Sequence, residues 1–209
     1  MKVESCQVGG LATNCYIVYD EAVREGVVID PGADAERILN LIKQRNLQIG
    51  AIFFTHGHFD HVGAAADLHD ALQAPLWGHE EDIKFVLDAV RQGYNFGERV
   101  DRAPEKVEFR FEEGIPVNIG PLSFRVLHTP GHTPGGVTLI CGKCAFTGDT
   151  LFRGGMGRSD FEGGSHRELL NSIKTKLFTL EDDIVVYPGH GPSSAIGWEK
   201  RNNPFVRCL

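Results

Sequence analysis

Short apolar segments recur along the whole chain, and each is bounded by turn-forming residues such as glycine, proline or aspartate. They cover residues 15–18, 27–29, 51–54, 122–127, 137–140, 145–147 and 184–187. Segments of this length between turn residues are typical of buried β-strands. The dipeptide Gly142-Lys143 separates two of them and predicts a two-residue hairpin loop.

Three longer segments repeat their apolar residues with the period of a helix. They are residues 35–45, 62–72 and 166–177. Helices therefore alternate with strands, which predicts an α/β protein with sheets inside and helices outside. No linker-like stretch divides the chain, so we expect a single domain over residues 1–209. Residues 93–105 are the most polar and least periodic segment, and we expect a long surface loop there, as a flap over a site.

The composition excludes several classes of protein. Of the 209 residues, 42% are hydrophobic and 23% charged, so the chain can bury a sizeable core. There are 21 lysines and arginines against 28 aspartates and glutamates, a net charge of −7, so nucleic acid is not an expected partner. The longest segment without a charged side chain, residues 126–142, contains histidines, prolines and glycines, so no membrane span is expected.

Cysteine usage and the N-terminus bear on the cellular compartment. The N-terminal residues lack the apolar stretch of a secretory signal, and five cysteines are an odd number for a disulfide framework. We therefore expect a cytoplasmic protein. Cys141 and Cys144 form a C-x-x-C motif that flanks the expected hairpin turn. We interpret them as paired strand residues, with a redox or metal role as the alternative.

Four of the predicted strands run directly into a turn that carries metal-binding side chains. The turns are THGHFDH at residues 55–61, TPGH at 129–132, GD at 148–149 and PGH at 188–190. Strand ends of one sheet lie side by side, so we expect the four turns to converge on one point. A lone histidine is more often an ordinary core or surface residue, but that interpretation needs four separate coincidences here.

The spacing in the first turn suits two neighbouring metal ions. His56 and His58 are two residues apart in an extended turn and can point the same way, with Gly57 between them to avoid crowding. Asp60 and His61 are displaced around the start of the next helix and suit a second ion beside the first. Imidazole and carboxylate ligands without thiolate indicate zinc, iron or manganese in a catalytic site. The two oxygens of Asp149 can bridge both ions.

These four turns, in this order, resemble the metallo-β-lactamase superfamily and, within it, the glyoxalase II-like (hydroxyacylglutathione hydrolase-like) hydrolases. The resemblance covers almost the whole chain. It implies an αβ/βα sandwich, in which two mixed sheets lie face to face with helices outside, and a two-metal hydrolytic site. By correspondence with the family, His56, His58 and His132 hold the first ion, Asp60, His61 and His190 hold the second, and Asp149 bridges them.

The resemblance implies a metal-dependent hydrolase of thioesters such as S-lactoylglutathione, which uses a hydroxide that bridges two divalent ions. We expect zinc, with iron or manganese as alternatives, a catalytic role for Asp60 and a small-molecule thioester as partner; the oligomeric state stays open. The chain ends at Leu209, before the helical domain that contacts glutathione in glyoxalase II enzymes, so we expect weak recognition of the glutathione portion.

Two alternatives to that function stay open. Residues 151–161 are also similar to the mononuclear iron persulfide dioxygenases of the superfamily, in which part of the ligand set holds a single iron. A non-enzymatic module with a vestigial site is the other alternative. Arg158, within the same segment, either anchors an anionic group of the substrate or forms a salt bridge that holds its own loop.

Overall fold

Two sheets, each of six strands, form the centre of the computed structural model, which describes residues 1–206. The first sheet contains β1 (Lys2–Val8), β2 (Thr13–Tyr19), β3 (Glu25–Ile29), β4 (Gln48–Phe53), β5 (Leu76–Gly78) and β6 (Phe109–Arg110), in that order. The β1–β2 and β2–β3 pairs are antiparallel, and the three pairs from β3 to β6 are parallel. Residues 207–209 of the expected domain lie outside the described residues.

The second sheet has the order β14-β13-β10-β9-β8-β7. Its strands are β7 (Val117–Ile119), β8 (Leu122–His128), β9 (Val137–Cys141), β10 (Cys144–Gly148), β13 (Val185–Pro188) and β14 (Ser194–Ala195). Only the β10–β13 pair is parallel. A small hairpin of β11 (Leu151–Phe152) and β12 (Gly155–Met156) follows β10. The hairpin loop at Gly142-Lys143 is confirmed, and Cys141 lies opposite Cys144 across it.

Helices cover the outer faces of both sheets. They are α1 (Ala35–Gln44), α2 (Phe59–Val62), α3 (Ala65–Leu72), α4 (Ile83–Leu87), α5 (Ala89–Phe96), α6 (His166–Ser172) and α7 (Ile196–Asn202), with a 3₁₀ turn at Glu80–Asp82 and a π-helical turn at Ile173–Leu177. Among the described residues, no helix has both the length and the apolar character that crossing a bilayer requires.

The core has the layers expected of an αβ/βα sandwich. Phe53 of β4 packs edge-on against Phe124 of β8, with ring centroids 5.2 Å apart, between the two sheets. The other face of the first sheet packs against α1 and α3, for example at Ile38 and Leu68. The other face of the second sheet packs against α6 and α7. The fold class predicted from the sequence is confirmed.

One helix prediction and one loop prediction are wrong in detail. The helix expected over residues 62–72 is interrupted after Val62, where Gly63 packs so closely against Gly32 that a Cβ would lie 2.4 Å from its carbonyl oxygen. The loop expected over residues 93–105 begins inside α5. The remainder of that segment includes Arg102, which pairs with Asp70 of α3, so this part lies along the body of the protein.

Candidate metal centre

The side chains of the four turns meet at one edge of the sandwich. The turn after β4 carries His56, His58, Asp60 and His61, the β8–β9 loop carries His132, β10 ends beside Asp149, and β13 ends beside His190. The expected convergence therefore occurs, but the expectation that the strands share one sheet is wrong. The strand β4 belongs to the first sheet and the other three belong to the second, so the site spans the seam between the sheets.

One group of ligand-type atoms is made of imidazoles only, and we call His56, His58 and His132 the imidazole triad. One nitrogen from each lies within 4.8 Å of the others. His58 Nδ1 is 2.9 Å from His132 Nε2. The residue His56 is 3% exposed and His132 is 5% exposed, so water reaches them poorly.

A second group combines a carboxylate with two imidazoles, and we call Asp60, His61 and His190 the mixed triad. Its ligand-type atoms also lie within 4.8 Å of one another. Asp60 Oδ2 is 3.2 Å from His190 Nε2 and 3.5 Å from His61 Nε2. His61 is fully buried, whereas the side chain of His190 is 28% exposed.

Asp149 lies between the two triads. Its Oδ1 is 3.4 Å from His61 Nε2, and its Oδ2 is 3.6 Å from both His132 Nε2 and His190 Nε2. One carboxylate thus faces an imidazole of the first triad and two of the second. This is the position that the sequence analysis assigned to a bridging ligand.

Asp30, at the end of β3, supports both triads and was missed by the sequence analysis. Its Oδ2 lies 3.0 Å from His61 Nδ1 and accepts a hydrogen bond from the Thr55 hydroxyl at 2.7 Å. That hydroxyl is 3.2 Å from His56 Nδ1. Such partners fix the orientation of a metal-binding imidazole. In the sequence, Asp30-Pro31-Gly32 resembles an ordinary turn, and no spacing rule separates it from one.

Main-chain carbonyl oxygens support the other two loops. His132 Nδ1 lies 2.6 Å from the carbonyl oxygen of Arg158, and His190 Nδ1 lies 3.2 Å from that of Leu11. In both rings Nε2 then faces the centre. The side chain of Arg158 pairs with Asp160 at 2.8 Å and stacks on the ring of Phe161 at 4.3 Å, so its loop is held by the guanidinium as well.

The triads differ in electrostatics. Burial and the neighbouring histidines hold the pKa of His56 well below its usual range, and the same effects lower the pKa of His58 to about 3. Burial also opposes protonation of His61, but the carboxylates of Asp60 and Asp149 raise its pKa well above the usual value. His56 and His58 therefore present neutral nitrogens at neutral pH, whereas His61 of the mixed triad retains a proton in the metal-free protein.

The donor set fits divalent cations. Within residues 1–206, three buried atoms that face the centre have no hydrogen-bond partner: His56 Nε2, His61 Nε2 and Asp149 Oδ1. Buried polar atoms are rarely left without one, and the exceptions require an explanation. Neutral imidazole and carboxylate are the ligands that catalytic zinc, iron and manganese take. Coordination of cations accounts for all three atoms at once.

A cleft of about 470 Å³ opens above these side chains, with His58, Asp60 and His190 at its floor. Apolar rings, including Phe85, Phe96 and Phe161, form much of its wall. Helices α4 and α5, which the sequence analysis did not predict, supply part of that wall.

Comparison with known proteins agrees with this geometry. A family model described as the metallo-beta-lactamase superfamily matches residues 8–190. The hydroxyacylglutathione hydrolase GloC of Haemophilus influenzae is 40% identical over 210 residues, which cover 99% of this chain and 98% of that protein.

Solved structures share the fold over nearly the whole chain. The B3 metallo-beta-lactamase BLEG-1 matches with a TM-score of 0.93 at 35% identity, over 98% of this chain and 99% of its own. TTHA1623 in a di-iron-bound form matches with a TM-score of 0.89 at 39% identity, over 97% of this chain and 100% of its own. ETHE1 from Myxococcus xanthus matches with a TM-score of 0.83 at 32% identity, over 98% of this chain and 84% of its own.

Proposed function

The chain belongs to the metallo-beta-lactamase superfamily, and on that premise we propose that it is a metal-dependent hydrolase of thioesters. The observation that carries the proposal is the convergence of two ligand triads and Asp149 on the floor of an aromatic cleft. The similarity to a hydroxyacylglutathione hydrolase favours a thioester over other acyl compounds.

We propose that the two triads hold two divalent ions with Asp149 shared between them. Zinc is the first choice, with iron and manganese as alternatives; a similar structure is described as di-iron-bound. When bound, such ions acidify a water molecule and polarise the carbonyl of the substrate. Asp30 and the carbonyl oxygens of Arg158 and Leu11 keep the imidazole rings in the orientation that coordination needs.

Asp60 has a proposed role besides metal binding, because its carboxylate lines the cleft. The Thr13 hydroxyl donates a hydrogen bond to Asp60 Oδ2 at 3.0 Å and fixes that oxygen. Burial raises the pKa of Asp60, but the adjacent His61 and His190 lower it below the usual range, so the carboxylate stays ionised. An ionised carboxylate there can accept a hydrogen bond from the attacking water or hydroxide and keep it aimed at the carbonyl.

The charged groups of the cleft wall favour a leaving group that departs without a proton. Lys84 pairs with Glu162 at 3.1 Å, and Arg91 pairs with Asp88 at 2.6 Å. Among the described cleft residues, the charged groups outside the two triads and Asp149 are thus already paired. A thiolate, with a pKa of about 8.5 as the free thiol, leaves readily without a general acid. A thioester therefore suits this cleft better than an ester or an amide.

The test is steady-state hydrolysis of a thioester panel by protein of known metal content. The panel contains S-lactoylglutathione, a cysteamine thioester of the same acid, and an oxygen ester and a β-lactam as non-thioester controls. We expect turnover of both thioesters and a far lower kcat/KM for the controls. Metal-loaded protein that hydrolyses no thioester contradicts the proposal.

A persulfide dioxygenase is the second candidate, because residues 151–161, likened above to that class, contribute Phe161 to the cleft wall. Oxygen uptake on glutathione persulfide by iron-loaded protein separates the two candidates. Uptake without thioester turnover favours the dioxygenase.

A further inference from the structure

Asp82, at the end of the 3₁₀ turn Glu80–Asp82, is an acidic residue outside both triads that connects two of their loops. It is 2% exposed. Its Oδ2 accepts hydrogen bonds from the amide of Gly57 at 2.9 Å and from the hydroxyl of Thr133 at 2.7 Å. Its Oδ1 accepts one from the amide of Gly135 at 2.7 Å.

The three donors belong to the two loops that build the imidazole triad. Gly57 separates His56 from His58, and Thr133 directly follows His132. Those loops approach each other at the 2.9 Å separation of His58 Nδ1 and His132 Nε2. One carboxylate thus connects both sides of the triad.

Both loops pack closely against Asp82 through glycines that have no space for a side chain. A Cβ on Gly57 would lie 2.7 Å from the carbonyl oxygen of Asp82 and 2.8 Å from Cβ of Phe85. A Cβ on Gly135 would lie 2.7 Å from Cγ of Asp82. From α5, Gln92 accepts a hydrogen bond from the amide of Phe59 at 3.3 Å, so the first loop is held at a second point as well.

A buried carboxylate is unfavourable unless several donors compensate for its lost hydration. Among the described ion pairs none includes Asp82, so its compensation comes from the three donors of the loops. Hydrogen bonds to an ionised acceptor are stronger than those between neutral groups. The link between the loops is therefore strong, and its geometry is set by one planar group.

We propose that Asp82 is a positioning residue for the metal centre, which holds the two histidine loops at the separation that a shared cation requires. It acts through the orientation of the imidazole triad and does not itself reach the cleft. This inference rests on the metal centre of the proposed function and not on its thioester substrate.

The test measures the affinity for Zn²⁺ by competition with a chelator. A His190→Ala background disables the mixed triad, so that the titration reports the imidazole triad. Asp82→Asn keeps the size of the side chain but turns an NH₂ group toward a donor of the loops. Thr133→Val removes one donor and leaves Asp82 in place. Asp70→Asn, on the exposed face of α3, is the matched control.

We expect Asp82→Asn to weaken Zn²⁺ binding by about 10- to 100-fold, the range typical of partners behind metal ligands, and Thr133→Val to weaken it less. Asp70→Asn should leave the affinity unchanged. The urea midpoint of each metal-free variant is measured alongside, because a merely structural role would lower stability without a specific loss of affinity.

Wild-type affinity in folded Asp82→Asn and in Thr133→Val contradicts the proposal, as does a loss in either variant that only parallels its metal-free stability. If Asp82→Asn does not fold, Thr133→Val decides the question. Protein that binds Zn²⁺ but hydrolyses no thioester refutes the proposed substrate and leaves the role of Asp82 standing. If both variants bind Zn²⁺ as tightly as the protein without those substitutions, the role of Asp82 is refuted and the proposed thioester substrate is unaffected.

Discussion

The imidazole triad and the mixed triad lie side by side in one centre but have different surroundings. The first contains His56 and His58, whose pKa values are lowered by burial among other histidines, so both rings are neutral. The second contains Asp60, has the charge of Asp30 behind His61, and exposes more than a quarter of the His190 side chain. Desolvated neutral ligands and partly exposed charged ligands bind cations for different physical reasons.

This difference indicates that different properties determine the metal affinity of the two triads. Three buried imidazoles, held by loops that follow strands of both sheets, form a site whose affinity depends mainly on geometry. The mixed triad adds negative charge, so its affinity depends on electrostatics and on pH. Asp60 also lines the cleft, which places the carboxylate that orients the attacking water where the substrate arrives.

The largest expected effect comes from removing the residue that joins the two triads. Asp149→Ala should lower the binding of both ions and reduce hydrolysis by more than the roughly 100-fold typical of losing one supporting contact. Metal content per chain and kcat/KM are the measurements, with the exposed Asp101→Ala as control. A mutant with two tightly bound ions and full activity rules out the bridging role.

A second pair of variants separates the triads through Asp30. This carboxylate touches His61 directly but reaches His56 only through the Thr55 hydroxyl. Asp30→Asn should weaken ion binding to the mixed triad by about 10- to 100-fold, whereas Thr55→Val should weaken the imidazole triad by less. Chelator competition checks both. The same loss at both triads in each variant argues against the distinction.

A smaller effect is expected at the hydrogen bond between Thr13 and Asp60. Thr13→Val keeps the shape of the buried side chain but removes the hydroxyl that donates to Asp60 Oδ2. A hydrogen bond to a charged group contributes about 1.5 kcal/mol or more, so kcat should fall about tenfold. Ion content and KM should change little. An unchanged kcat shows that Asp60 needs no such partner.

The smallest effect is expected outside the centre, at Cys141 and Cys144. The two residues are opposite each other across a hairpin, as paired strand residues are. Burial raises the pKa of both thiols, so neither is poised as a thiolate. Replacing both with alanine should leave hydrolysis near wild type. A large loss of turnover in folded protein supports the redox interpretation instead.

Sequence pattern predicted the parts of the fold that repeat, and missed those that depend on distant neighbours. The strands β2, β4 and β10 were predictable because uninterrupted apolar segments run into turns. Helices α4 and α5 were not, because Asp88 separates two short turns of helix and Gly93 disrupts the helical pattern.

The ligand turns were predictable because they carry a local sequence pattern, and Asp30 and Asp82 were not because they carry none. Histidines at fixed spacing after a strand form a recognisable pattern. A single aspartate in a turn has no such pattern, and its role comes from groups about 25 or more positions away in sequence. The arrangement of the four turns across two sheets also depends on topology that local periodicity does not contain.

The most direct test of the two unequal triads is a calorimetric titration of metal-free protein with Zn²⁺ between about pH 6 and pH 8. The raised pKa of His61 means that an ion must displace a proton there, whereas His58, with a pKa of about 3, is already neutral. We predict that two ions bind per chain. One binding step releases a proton, so its affinity increases as pH rises, and the other step depends far less on pH. A single ion per chain, or two steps with the same pH dependence, would show that the two triads do not differ in this way.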